Sequence, residues 1–194
     1  YAMVPASSTC DEGITLNNAG TPSCTFQNAP SSGTFTVNKN FIDDVPDVVA
    51  VHGALAEMHD AGAQAVAMEV SSHALEQGRV DEVVFDTAVF SNLTQDHLDY
   101  HGSMQAYFEA KAKLFRWPGL RQAVINIDDV YGRALLDSLP IGLSLLRVSA
   151  NGHPDADLCA EDIRLGLDGM HFTLVLGVER QPVASSLLGR FNVD

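Results

Sequence analysis

The sequence predicts an α/β fold: a mainly parallel sheet flanked by helices, with antiparallel strands added at one edge near the C-terminus. Three observations predict it. Short apolar runs alternate with segments of helical periodicity between Pro46 and Leu139, a pattern that needs crossover connections and a sheet covered on both faces. Polar residues bunch where two of the apolar runs stop, after Met68 and after Phe90, as they do at a ligand site along the carboxyl edge of an open sheet. After Leu143 the pattern becomes strand-rich and is punctuated by Gly and Asp, which points to antiparallel additions at one edge.

Residues 1–45 stand apart. Ser, Thr, Asn, Gly and Pro dominate residues 5–40, with short alternating runs such as Thr34-Phe35-Thr36-Val37, the composition of loops, an exposed hairpin or a flexible arm. Pro46 suits the first turn of a helix in which Val48, Val51, Leu55 and Met58 recur at helical spacing until Gly62. A strand over 64–70, a short helix over 72–78, a strand over 83–91 and a helix over 103–116 follow. Gln122–Asn126 reads as another strand and Asp128–Leu139 as a helix. Leu143–Val148, Met170–Leu176 and Val183–Leu187 supply the later strands.

With 194 residues the chain can bury one full core, or one domain with an appendage. A formal net charge of -14 argues against a nucleic-acid or anionic-membrane surface, although a local cation can still serve a small anion. No apolar run is long enough to span a bilayer, and Tyr1-Ala2-Met3-Val4-Pro5 lacks the basic and apolar segments of a signal peptide. The expected compartment is the cytoplasm. Cys10 and Cys24 either pair across a short loop or stay free; Cys159, beside Leu158 and Ala160, reads as a small core residue. None of the cysteines has the spacing of a structural zinc site.

Four positions carry the chemistry. Glu69 ends an apolar run, where a carboxylate either holds a magnesium ion among phosphates and water or simply faces a helix N-terminus near Ser71 and Ser72. Asp96, His97, Asp99 and His101 crowd one loop and could hold a metal or orient a base; the bland alternative is a turn cap with histidines bonded to backbone, and it suits His101, beside Gly102 at a helix entry. Lys111 lies four residues from both Tyr107 and Phe115, on a partly apolar helix face, where snorkelling competes with a functional role. Arg79 could clamp a carboxylate or phosphate in a bidentate fork, or pair weakly with Asp81 or Glu82 at the surface. With three lysines in all, the sequence contains no G-x-x-x-x-G-K-[ST] phosphate loop, so independent nucleotide turnover is not expected.

Two stretches, Ala67-Met68-Glu69-Val70-Ser71-Ser72-His73-Ala74-Leu75 and Ser91-Asn92-Leu93-Thr94-Gln95-Asp96-His97-Leu98-Asp99-Tyr100-His101-Gly102, resemble the central domain of the MurE branch of the Mur ligase family. Tyr107-Phe108-Glu109-Ala110-Lys111, Asn126-Ile127-Asp128-Asp129 and Leu188-Gly189-Arg190-Phe191-Asn192-Val193 extend the resemblance in order over residues 46–194. It implies a ligase that adds the third amino acid, meso-diaminopimelate or L-lysine, to UDP-N-acetylmuramoyl-L-alanyl-D-glutamate in peptidoglycan synthesis. ATP phosphorylates the substrate carboxylate, and an amine then attacks the acyl phosphate. Carried over by position, Glu69 and His97 match a magnesium-holding pair, and Lys111 a carbamate-bearing lysine that also serves a metal ion. Ser71, Gln77 and Arg79 match contacts to the UDP-sugar-peptide, and Asn192 an asparagine near the nucleotide.

Departures from the family pattern shape the expectation further. Residues 1–45 resemble neither the family's UDP-binding domain nor its phosphate loop, and Asp44-Val45 stand where two substrate-contacting threonines are expected before Pro46. The chain is therefore expected to be a partial central domain behind an unrelated leader, inactive alone, with ATP binding in doubt and complementation by the missing ligase segments in trans as a possible mode of action. The competing expectation is a non-catalytic module in which residues 1–45 carry the binding and the ligase-like part is a scaffold.

Overall fold

Helix formation begins just after Pro46, in α1 (Val48–Asp60), whose buried face is anchored by Val51. The computed structural model describes residues 2–3, 15–16, 23–28, 31–36, 48–96 and 98–193. In the first of these segments the backbone forms β1 (Ala2–Met3), β2 (Thr15–Leu16), β3 (Ser23–Asn28) and β4 (Ser31–Thr36), with β2, β3 and β4 in a small antiparallel sheet of their own. The possible disulfide between Cys10 and Cys24 involves Cys10, which lies outside the described residues.

After α1 come β5 (Ala67–Met68), α2 (Ser72–Glu76), β6 (Thr87–Phe90), α3 (Leu98–His101) and α4 (Met104–Ala112), which tightens into a 3₁₀ turn over Lys113–Arg116. Then follow β7 (Gln122–Asn126), α5 (Val130–Leu136), β8 (Ser144–Ser149), β9 (Leu158–Gly166), β10 (Gly169–Leu176), β11 (Glu179–Ser185) and a 3₁₀ turn over Arg190–Asn192. The main sheet runs β11-β10-β9-β8-β7-β6-β1-β5. From β6 to β9 the pairing is parallel, and β10 and β11 then add antiparallel strands. The contiguous strands β6 to β11, with their flanking helices, give the mixed architecture expected from the sequence. One feature of the sheet was not expected: β1 pairs antiparallel with both β5 and β6 and so separates them.

Several elements differ from the sequence reading, among them the strand expected over 64–70, which is Ala67–Met68, and that over 183–187, which is Glu179–Ser185; three differences have a clear physical reason. The apolar run starting at Val83 becomes strand only at Thr87, opposite Gln122, where its neighbour β7 begins. Before that, Val83 and Phe85 are buried in a loop, and the indole of Trp117 donates to the Val83 carbonyl at 2.8 Å, which supplies the partner a ladder would have given. The helix expected from Asp128 starts at Val130 because the Asp129 carboxylate caps it, accepting from the amides of Tyr131 (2.7 Å) and Gly132 (3.2 Å). Strand β9 escaped notice because its alternation is broken. Glu161 pairs with Thr173 and Arg164 with His171, so Asp162 and Ile163 oppose Phe172 alone, and Asp162 takes the left-handed conformation (φ 53°) that such a bulge uses.

The core lies between the parallel strands and the helices, with Phe85, Ile125, Ile127 and Leu135 fully buried. Gly132 lets α5 sit directly on the end of β7: a Cβ there would stand 2.0 Å from the Asn126 carbonyl oxygen. Among the described residues no helix is long and apolar enough to cross a membrane.

Candidate functional site

The site is built where β5, β6 and β7 end. Glu69 follows β5, and two residues later Ser71 caps α2, its Oγ accepting from the Ala74 amide at 3.1 Å. At the other end of α2 the chain turns through Gly78 in the left-handed region (φ 67°), and the Arg79 amide donates back to the Ala74 carbonyl at 2.9 Å. This helix stop needs glycine for its left-handed backbone, and a Cβ there would also push aside the exposed Asp81 carboxylate, 2.6 Å away. It delivers Arg79 beside Gln77, whose Oε1 accepts from the guanidinium Nε at 2.9 Å and from its terminal nitrogen at 2.6 Å. One amide oxygen therefore fixes the plane of the guanidinium at the corner of α2.

After β6, the loop from Ser91 is tied down by the strand next to it. The Asn126 side-chain amide donates to the Ser91 carbonyl at 2.8 Å, and the Leu93 amide donates to Asp129 Oδ2 at 3.2 Å. Asp128 reaches the other way, accepting from Ser149 Oγ (2.7 Å) and from the amides of Ala150 (2.8 Å) and Asn151 (3.0 Å). Asn126, Asp128 and Asp129 thus join the ends of β6, β7 and β8 into one rim. The sequence reading noted these three only as part of a resemblance. The signal that could have found them is a run of short polar residues between a buried strand and a helix, where caps are needed.

Glu69 and Lys111 meet at this rim. They line one cavity of about 70 Å³ together with Ser91, Asn92, Phe90 and Phe115. Lys111 reaches it from α4, its Nζ 5.4 Å from the centroid of the Tyr107 ring, a cation–π distance that offsets part of the cost of a half-buried ammonium. Ser71, Gln77 and Arg79 sit on the adjoining α2 and its stop rather than in the cavity lining. Asn192 lies apart in the last 3₁₀ turn, its amide donating to the Leu188 carbonyl at 2.8 Å. His97 lies outside the described residues.

His101 departs from the sequence reading. It closes α3 instead of opening α4, which Ser103 caps, and its side chain is buried among side-chain partners. Its Nε2 and Ser72 Oγ lie 2.8 Å apart, its Nδ1 is 3.6 Å from Glu76 Oε2, and its ring stacks on Tyr107 with centroids 5.1 Å apart.

As a cation site, the cavity offers one carboxylate among its described lining residues, Glu69, beside the oxygens of Ser91 and Asn92. That set suits magnesium, a hard cation that binds few protein oxygens and keeps water. Among the described residues no three His, Cys, Asp or Glu side chains converge on one point. An unmodified lysine brings donors and no acceptor, so Lys111 fits a metal only once its nitrogen carries an acidic group.

The sequence profile of the Mur ligase middle domain matches residues 23–194. The chain belongs to the Mur ligase family. Among its curated relatives, the UDP-N-acetylmuramoyl-L-alanyl-D-glutamate--2,6-diaminopimelate ligase of Xylella fastidiosa (strain Temecula1) is 56% identical over 149 residues, covering 77% of this chain and 30% of the relative. The protein of the same name from Xanthomonas campestris pv. campestris (strain 8004) is 57% identical over the same shares. A solved structure of a UDP-N-acetylmuramoyl-L-alanyl-D-glutamate--2,6-diaminopimelate ligase superposes with a TM-score of 0.72 at 32% identity, covering 93% of this chain and 35% of that one. The chain therefore spans about a third of the length of the Mur ligases it matches, and it carries their middle domain.

Proposed function

We propose that residues 46–194 form the metal- and substrate-bearing part of a ligase that adds diaminopimelate to UDP-N-acetylmuramoyl-L-alanyl-D-glutamate in the cytoplasm, by way of an acyl phosphate made with ATP. The observation that carries the reading is the meeting of Glu69 and Lys111 in one cavity at the carboxyl ends of the strands, with Arg79 bonded to Gln77 at the far end of the adjoining α2. Glu69 and His97 would hold magnesium, joined by Lys111 after its Nζ adds carbon dioxide and loses a proton to give a carbamate. Magnesium bound there supplies positive charge against the phosphate being transferred. Arg79, held by Gln77, brings a guanidinium that would recognise an anionic group of the muramoyl peptide, and Ser71 lies at the start of the same helix. Asn192 would lie near the nucleotide.

These 194 residues are expected to bind rather than turn over. They contain no G-x-x-x-x-G-K-[ST] segment, and phosphoryl transfer in such enzymes depends on that loop and its lysine. Activity is expected only when segments carrying those groups are supplied, in cis or in trans. Isothermal titration of UDP-N-acetylmuramoyl-L-alanyl-D-glutamate with magnesium into the folded chain tests the binding half. Measurable affinity that drops roughly tenfold or more in Arg79→Ala is the expected result. No heat from a folded, monodisperse sample would remove the reading.

A further inference from the structure

Ser72, His101 and Glu76 stand in the order of a serine-histidine-acid relay, yet two features disqualify them as a nucleophile system. Ser72 is 1% exposed, so no substrate carbonyl reaches its Oγ. The separation of 3.6 Å between His101 Nδ1 and Glu76 Oε2 is too long for the hydrogen bond that orients a catalytic imidazole. What the arrangement does instead follows from which elements it joins.

His101 and Tyr100 end α3, the single turn that follows the acidic histidine-rich loop. The two rings pack edge to face with centroids 4.9 Å apart, and among the described residues their partners outside α3 lie on α2, its C-cap Gln77 and α4. His101 meets Ser72 and Glu76 on α2, and Glu76 in turn pairs with Lys113 at 3.2 Å. Tyr100 packs on the His73 ring of α2 with centroids 4.1 Å apart, and its hydroxyl lies 3.5 Å from the Gln77 amide nitrogen. Gln77 is the residue that fixes Arg79. On the other side the His101 ring stacks on Tyr107, over which Lys111 sits. Five residues long, α2 has too few internal hydrogen bonds to hold its own orientation, so its placement must come from packing.

We infer that His101 is a positioning residue: through Ser72 and Glu76 it sets the orientation of α2 and thereby aims the Gln77–Arg79 pair, coupling the anion-binding corner to the loop and to the lysine helix. The inference rests on the proposed function for its ligand, an anionic UDP-linked peptide, but its geometric part stands by itself. A ligand ordered at Arg79 would, by the same linkage, favour one placement of α3.

Two readouts on the intact chain test it. The first is the Arg79 Nε–H signal in a ¹H–¹⁵N spectrum, which reports the bond to Gln77 without any ligand. The second is the affinity for UDP-N-acetylmuramoyl-L-alanyl-D-glutamate by titration. In folded His101→Ala we expect the Nε–H proton to exchange with solvent roughly tenfold faster and the affinity to fall by roughly the same factor, the size of one lost buried hydrogen bond. His101→Gln, which keeps an amide donor near Ser72, should stay within about threefold of wild type. An Arg79 Nε–H signal unchanged in His101→Ala would overturn the inference. If the signal changes as expected but neither protein binds the peptide, the geometry stands and the proposed function falls. Should His101→Ala not fold, Ser72→Ala removes the same bond by deleting a single oxygen and must produce the same faster exchange; no change there overturns the inference as well.

Discussion

The parallel half of the main sheet and the antiparallel strands at its edge share one hydrogen-bonded ladder, yet they bury very different things. In β7, between parallel neighbours, Ala123, Ile125 and Asn126 are all buried. In β10 Met170 near its start is buried, but Leu176 at its far end is exposed, as are Leu167 and Val178 in the two turns beside it. Helices cover the first region, and the second projects beyond them. Glu69, Lys111 and the Asn126–Asp129 rim all belong to the covered half. A polar cluster must be held to fractions of an ångström to bind anything, and only a backbone packed on both faces supplies that constraint.

The sharpest way to break this comparison is to delete the same number of carbons from each half. Ile125 is 0% exposed, so Ile125→Ala should cost about 3 to 4 kcal/mol, from lost transfer energy and a cavity that β6 and β8 cannot collapse around. Leu176 is 47% exposed, and Leu176→Ala should cost less than about 1 kcal/mol. Urea unfolding of both variants, read by far-UV circular dichroism, measures the gap. Equal losses would show that the antiparallel strands are as tightly packed as the parallel ones and that the comparison is mistaken.

A smaller effect should follow from the rim. Asp129→Ala removes the cap of α5 and the acceptor for the Leu93 amide together. The expected cost is about 2 kcal/mol in urea unfolding, the sum of a lost cap and a lost half-buried bond. Its signature is local: amide exchange should speed up at Leu93 and at the first turn of α5, and stay unchanged in β10 and β11. Uniform acceleration throughout the chain would mean that the rim merely contributes to global stability and does not pin the loop.

How much of this could be read from the residues depends on which interactions are local. The helix over 103–116 was legible because Ser103 caps it; only its last turn tightens to 3₁₀. Strand Gln122–Asn126 was legible to the residue, since it is short, apolar and bounded by polar groups. Strand β9 was not, because a bulge at Asp162 destroys the period on which the inference depends. The same division holds for the site. Glu69 and Lys111 were singled out by position, each against a bland alternative, but their sharing of one cavity is a property of the crossover between β5 and α4 that no local pattern encodes. The misreading of His101 has that origin too. Next to glycine it looks like a helix entry, and the burial that gives it work to do comes in large part from α2, about thirty residues earlier in the chain, with Tyr107 of the following helix closing the other face.

The smallest predicted effect tests the seam where the two halves join. Strand β9 pairs with β8 only at Val148↔Leu158 and Ser149↔Cys159, so the ladder there is thin. Just before it, the Arg147 guanidinium donates to both oxygens of Asp157, at 2.9 and 2.7 Å, and the Arg147 amide donates to the same carboxylate at 2.9 Å. These hydrogen bonds hold the Asp157 carboxyl down at about 2, against an ordinary 3.8. A carboxyl depressed in the folded state stabilises it fully above the ordinary value and progressively less as pH falls toward the depressed one. Asp157 is 32% exposed and Arg147 38%, so solvent screening reduces the contribution to about 1 kcal/mol. Urea unfolding of the wild type and Asp157→Asn should therefore differ by about 1 kcal/mol near neutrality, by about half of that at about pH 3, and by almost nothing near pH 2. A difference that does not shrink in acid would mean that Asp157 holds the seam by shape alone. Its charge would then be irrelevant to how the antiparallel strands attach to the covered half.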